Sequence, residues 1–168
     1  MSKRIRQYIG LVVAVVLYYV IHEGAHLAVA LGLGVFKQIN IIGLGMQVDI
    51  FAEQMTPTQM GWFCAAGPIT TFVLGWLLVI FADKLSRIKS ALIRTCAWYT
   101  SLTMLILDAL YLGIFYRWVG GGDMNGIALI IPEVVASVVA IAVGVVNIIL
   151  IWRVLYPIYT RSFADEKK

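Results

Sequence analysis

The residues best equipped for chemistry are His22, Glu23 and His26, in the run His22-Glu23-Gly24-Ala25-His26. On a helix, positions i and i+4 share a face, so both imidazoles can reach one metal ion. Glu23 lies beside them, where a carboxylate can take a proton from an attacking water. Zinc asks for a third protein ligand and leaves a fourth position for water. Two carboxylates compete for the third place. Asp108 sits in Leu105-Ile106-Leu107-Asp108-Ala109-Leu110-Tyr111, with no other charge between Arg94 and Arg117. Asp123 sits in Gly120-Gly121-Gly122-Asp123-Met124-Asn125-Gly126, where three glycines permit an unwound backbone. A plainer role for Asp123 is to cap a short helix from Met124 to Ile131, stopped by Pro132. Gly24 costs a helix roughly 1 kcal/mol relative to Ala. Its missing side chain leaves room for another helix or a substrate to approach.

These groups belong to a chain made for hydrocarbon. Of its 168 residues, 61% are hydrophobic and 13% charged, and the mean hydropathy is +0.91. Soluble domains carry roughly 25% charged and about 45–50% apolar residues. A soluble domain of this size cannot hide so much apolar surface, and a disordered chain is poor in it. The length allows one domain. Four stretches are long enough to span a bilayer, at about residues 8–31, 60–82, 91–116 and 133–156. Charge in hydrocarbon is expensive, so His22, Glu23, His26 and Asp108 are functional candidates by position alone.

Orientation follows from the basic residues. Lys3, Arg4 and Arg6 precede the first span, and Lys84, Arg87, Lys89 and Arg94 join the second to the third. Arg153, Arg161, Lys167 and Lys168 end the fourth, so eleven of the thirteen lie on one side. The net charge of +4 is therefore a mark of topology and not of nucleic-acid binding. The expectation is a multi-pass protein with both termini cytoplasmic, and compactness points to a prokaryotic plasma (inner) membrane. His22 and His26 lie about 5 to 9 residues from the outer end of their span and Asp108 about 8 from its own. At 1.5 Å per residue those depths match within a few ångström. For Asp123, irregular backbone at membrane depth is tolerated only when buried in protein or lining a watery cavity. Depth favours Asp108 and the glycine-rich context favours Asp123.

Between the first two spans, Phe36–Ile42 and Met46–Phe51 flank Gly43-Leu44-Gly45, and the second run alternates apolar and polar residues. This reads as a β-hairpin over about 35–52, lying at or dipping into the outer membrane face. Cys64 and Cys96 make no disulfide framework and read as packing residues. Trp62, Trp98, Trp118 and Trp152 sit near span ends, as interfacial anchors do. The first apolar run is too long and too polar for a cleaved leader and is expected to be retained. The fold class is thus an all-α polytopic membrane protein with four transmembrane helices and a short membrane-associated β-hairpin.

With its HExxH run inside a transmembrane helix, the chain resembles the site-2 protease family of intramembrane zinc metalloproteases. The likeness continues in the hairpin after it, in Ala65-Ala66-Gly67-Pro68 at the next span, and in a later acidic residue. It covers most of the chain, as a small divergent member. The resemblance implies a single membrane-embedded metalloprotease domain over 1–168 that cleaves membrane-embedded or membrane-adjacent segments of protein substrates. His22 and His26 would be zinc ligands, Glu23 the general base and an Asp the third ligand. The hairpin would capture an unwound substrate by strand addition. The family's third-ligand segment has Asn and Pro ahead of an Asp-Gly pair, which neither Asp108-Ala109 nor Asp123-Met124 reproduces. Asp123 resembles it more closely, Asp108 then being a polar partner and Asn125 a candidate for oxyanion or substrate contact. The rivals are an inactive protease-like protein that binds transmembrane helices and a metal transporter, which would distribute its ionisable residues across the membrane depth.

Overall fold

The computed structural model describes residues 1–42, 45–120 and 122–165, so Gly43, Leu44, Gly121, Glu166, Lys167 and Lys168 lie outside the described residues. The chain is mostly helical, at 81%, with one small antiparallel sheet. Among the described residues four helical stretches are long and apolar enough to cross a membrane: Lys3–Leu33, Pro57–Ile80, Ala91–Val119 and Glu133–Ala164. The first, third and fourth run beyond the expected bounds, and the second starts earlier, at Pro57, and stops at Ile80, short of residue 82. Helix ends are set by caps and turns, which a hydropathy window does not register.

Helix α1 (Lys3–Leu33) starts at Ser2, whose side chain accepts the Ile5 N–H, and stops at Gly34 with φ 71°. That left-handed position favours glycine and lets the Gly34 N–H close on the carbonyls of Ala30 and Leu31. Strands β1 (Phe36–Ile42) and β2 (Gly45–Ile50) then form the hairpin, in register Ile39↔Val48 and Ile41↔Met46, with a bulge at Lys37. Helix α2 (Pro57–Ile80) opens on a capping box between Thr56 and Gln59 with Pro57 in its first turn. A short α3 (Ala82–Ser86) turns the chain into α4 (Ala91–Leu110). A π-helical turn at Tyr111–Phe115 continues α4 into α5 (Tyr116–Val119). The short α6 (Gly122–Ile127) replaces the helix expected over Met124–Ile131. It starts earlier, so Asp123 lies in its first turn, and it gives way to tight turns in which Leu129 and Ile130 bond back to Gly126 and Ile127. Helix α7 (Glu133–Leu150) continues through a second π turn into α8 (Tyr156–Asp165).

Helices α1 and α4 run parallel: Gly10 packs on Thr95 and Tyr99, and Tyr18 reaches Asp108 further along. α2 and α7 run the other way, with Thr71 at Asp108, Ser137 at Gly113 and Asn147 at Leu105. The buried Asn147 accepts from Trp76 Nε1 and donates to the Leu105 carbonyl, tying α2, α4 and α7 together. The outer faces of α1 and α7 expose Val12, Val16, Val134 and Val138, while Thr71, Ser101, Asp108 and Asn147 are fully buried. Polar groups thus lie inside and aliphatic ones outside. The tryptophans differ among themselves: Trp62, Trp118 and Trp152 are exposed, whereas Trp98 packs against Tyr159 at 5.3 Å. Both cysteines are free, and the buried Cys64 packs against Gly126.

Candidate metal centre

His22 and His26 occupy one face of α1, buried between α2, α4 and α6. Their Nε2 atoms are 3.1 Å apart. Asp123 Oδ2 lies 3.1 Å from His22 Nε2, and its Oδ1 lies 3.4 Å from His26 Nε2. The far side of each ring meets a different partner. His26 Nδ1 is 2.7 Å from the Phe63 carbonyl, which can only accept, so that nitrogen carries the proton and Nε2 a lone pair. His22 Nδ1 is buried, faces Asp108 Oδ1 at 3.4 Å, and makes no well-formed hydrogen bond. A proton on that side likewise leaves the Nε2 lone pair pointing at His26 and Asp123.

Two imine lone pairs and a carboxylate this close are mutually repulsive unless they share a cation. A proton satisfies one edge of the triangle, whereas a divalent metal at its centre satisfies all three. Ligands at the usual 2.0–2.1 Å from a tetrahedral zinc lie about 3.3 Å from one another, close to the observed separations. Glu23 also offers an oxygen within 4.8 Å of ligand atoms of both histidines. Its Oε2, however, accepts the Val48 N–H of β2 at 3.1 Å. Asp123 thus makes the closer carboxylate contact to the two Nε2 atoms, and Glu23 stands beside it.

The approach of α2 depends on Gly67. A Cβ there would sit 2.6 Å from both Nε2 atoms, so any side chain would displace the rings. Gly24, by contrast, has nothing within 4 Å of the position its Cβ would take. The close helix approach is thus made at Gly67, while the space beside Gly24 stays open. Pro68 follows at once and, lacking an N–H, removes the helical hydrogen bond to the Cys64 carbonyl, next to that of Phe63.

Asp108 is fully buried and accepts from Tyr18 OH at 2.7 Å through Oδ1 and from the Thr71 hydroxyl through Oδ2. It thus holds the back of His22 and not its Nε2. Tyr111 OH donates to the Gly120 carbonyl at 3.1 Å, pinning the glycine-rich segment that delivers Asp123. Asn125 is exposed and does not line the cleft described next, because α6 turns it away from Asp123; the structure does not bring it to the site. Sequence reasoning missed Tyr18, Thr71 and the Phe63 carbonyl, and met Gly67 only within Ala65-Ala66-Gly67-Pro68. Tyr18 had a signal, since it lies four residues before His22 on the same helical face.

A cleft of about 600 Å³ opens onto this cluster. Its polar floor is His22, Glu23, Asp108 and Asp123; its walls include Tyr18 and Tyr19 on α1, Leu107 on α4 and Gly45–Gln47 on β2. Because Val48 turns its N–H to Glu23, Val48 and Ile39 are a pair that exchanges no ladder hydrogen bonds, and Met46 shares that outward direction. The Ile50 N–H is taken by its neighbour Asp49 at 3.0 Å. Across the hairpin, Lys37 Nζ is 3.1 Å from Asp49 Oδ2 and holds that carboxyl below the usual carboxylate range. No family model, curated protein or solved structure matches this chain.

Proposed function

We propose that the chain is a four-span membrane protein that hydrolyses peptide bonds at a zinc centre, as a small protease of the site-2 type. The observation that carries this reading is the cluster of His22 Nε2, His26 Nε2 and the Asp123 carboxylate beside Glu23: the two nitrogens are 3.1 Å apart, Asp123 Oδ2 is 3.1 Å from His22 and Oδ1 is 3.4 Å from His26. His22, His26 and Asp123 would hold the metal. When bound, zinc supplies a Lewis acid that lowers the pKa of water and polarises a carbonyl.

The chain's own groups do the rest. Phe63 and Asp108 orient the two imidazoles from behind, as partners of ligating histidines do. Glu23 accepts the proton of the attacking water and delivers it to the leaving amine. Val48 fixes one oxygen of Glu23, leaving the other for that work. The outward edge of β2 offers a substrate strand only its Gly45–Gln47 end, because Glu23 and Asp49 occupy the amides beyond. A short extended segment suits that edge. The aliphatic outer surface and the one-sided basic residues support insertion with both termini cytoplasmic, in a plasma membrane. The clustering of His22, Glu23, His26, Asp108 and Asp123 at one level favours a reaction centre over a transport path.

Replacing Glu23 by Gln tests the reading. The variant should purify with zinc and lose cleavage by about 10²–10⁴-fold. Profiling the N-termini of membrane proteins in cells expressing either form reads this out: fragments made by wild type should vanish. Fragments that persist with Glu23→Gln contradict the mechanism.

A further inference from the structure

A second cleft, of about 710 Å³, opens at the far end of the bundle between α3, the turn at 87–90, the start of α4 and α8. Arg94 on its wall precedes Asp108 by fourteen residues of α4, or about 21 Å along the axis. Among the described residues Arg87, Lys89, Arg94 and Arg161 line it, with Asp83 as the carboxylate in its lining. Hydrogen bonds set its shape. Arg94 is buried and donates to the Ile88 and Lys89 carbonyls at 2.7 and 3.2 Å, which fixes the turn that carries Arg87 and Lys89. Ser162 donates to the Ser86 carbonyl at 2.6 Å, so α8 is tied to α3 and Arg161 faces the same space. Asp83 pairs with Arg87 at 2.9 Å, but both side chains are mostly exposed, and such a pair yields readily to a better anion.

A topological bias toward basic residues places cations at this end. It does not require that residues more than seventy positions apart converge on one concavity. The other face of α8 adds an aromatic groove of about 540 Å³, lined by Trp98, Tyr99, Tyr156, Tyr159 and Phe163 with Lys3 and Arg6. Tyr159 is 2% exposed, and its hydroxyl has no hydrogen-bond partner among the described residues. The Arg94 guanidinium lies 5.7 Å from the Phe163 ring, between the two hollows.

We propose that Arg87, Lys89 and Arg161 form a binding site for a phosphate-bearing anion, supplied by a phospholipid headgroup or by free phosphate. Guanidinium forks match phosphate oxygens in pairs, and a lysine adds a point charge. The position at the ends of α4 and α8, with apolar aromatic surface alongside, favours the headgroup. The site is independent of the hydrolytic reading.

The full chain in phosphatidylcholine nanodiscs containing phosphatidylglycerol, released for native mass spectrometry, tests this. Wild type should retain phosphatidylglycerol over phosphatidylcholine by about tenfold or more. The triple variant Arg87→Gln, Lys89→Gln, Arg161→Gln should lose that preference at unchanged helix content by circular dichroism. A control removing the same charge elsewhere, Arg4→Gln, Lys37→Gln, Arg153→Gln, should keep it. Release of the lipid by millimolar inorganic phosphate assigns the site to phosphate from either source; resistance to it assigns the site to the lipid. Equal retention by wild type and the triple variant, or equal loss in the control, overturns the proposal.

Discussion

Asp108 and Asp123 approach the same imidazole from opposite sides, on very different pieces of chain. Asp108 stands in the last turn of α4, ahead of the π turn at Tyr111, fully buried, with two hydroxyls already donating to its oxygens, and it faces His22 Nδ1. Asp123 stands on α6 after the glycine-rich bend, with its side chain 18% exposed, and it faces the Nε2 atoms of both histidines. A carboxylate saturated by hydroxyls and locked in a helix is suited to hold a ring still. One delivered by an irregular segment and lining a cleft is suited to meet an ion. The regular helices therefore supply orientation, and the irregular segment supplies the corner that completes the cluster.

Four substitutions test this division, the last as a contrast outside the centre, beginning with the largest effect. Gly67→Ala drives a methyl into both Nε2 atoms, so zinc content measured by elemental analysis should fall to near zero. Zinc held normally by this variant would mean that α2 does not press on the histidines. Asp108→Asn should keep zinc but weaken it by about 10–100-fold in a chelator titration, the usual cost of losing a partner behind a ligating histidine. Complete loss there would exchange the roles of the two carboxylates. Tyr18→Phe leaves Asp108 with Thr71 alone and should lower stability by about 1–2 kcal/mol, read from an unfolding titration in detergent. An unchanged midpoint would argue that the tyrosine contributes nothing to the buried network. Lys37→Gln has the smallest effect and acts outside the centre. Asp49 is held low by Lys37, so its contribution to stability is present above the ordinary carboxylate pKa and is lost as pH falls through its lower folded-state value. Without Lys37 the Asp49 titration followed by NMR should move up toward the ordinary range, with zinc binding unaffected.

The histidine pair, the four long apolar stretches and the hairpin were legible because each is written in local spacing: four residues, about twenty, and two. Depth counting could bring Asp108 near His22, but it treats helices as rods and cannot say which ring nitrogen a carboxylate faces. That depends on the crossing of α2, where Gly67 meets the rings and Thr71 meets Asp108, and no single-segment pattern encodes a crossing. The π turn at Tyr111–Phe115 was also invisible, although it sits between Asp108 and the segment carrying Asp123. Asn125 misled for a related reason: it lies in a chemically suggestive run, yet the fold leaves it exposed and outside the cleft.

Zinc stoichiometry of the detergent-purified full chain tests the centre most directly, with wild type beside Asp123→Asn and Asp108→Asn. One zinc per chain in wild type, none in Asp123→Asn and zinc retained in Asp108→Asn is the expected result. A zinc-free wild type after metal-replete purification, or an Asp123→Asn variant that keeps its zinc, would contradict it.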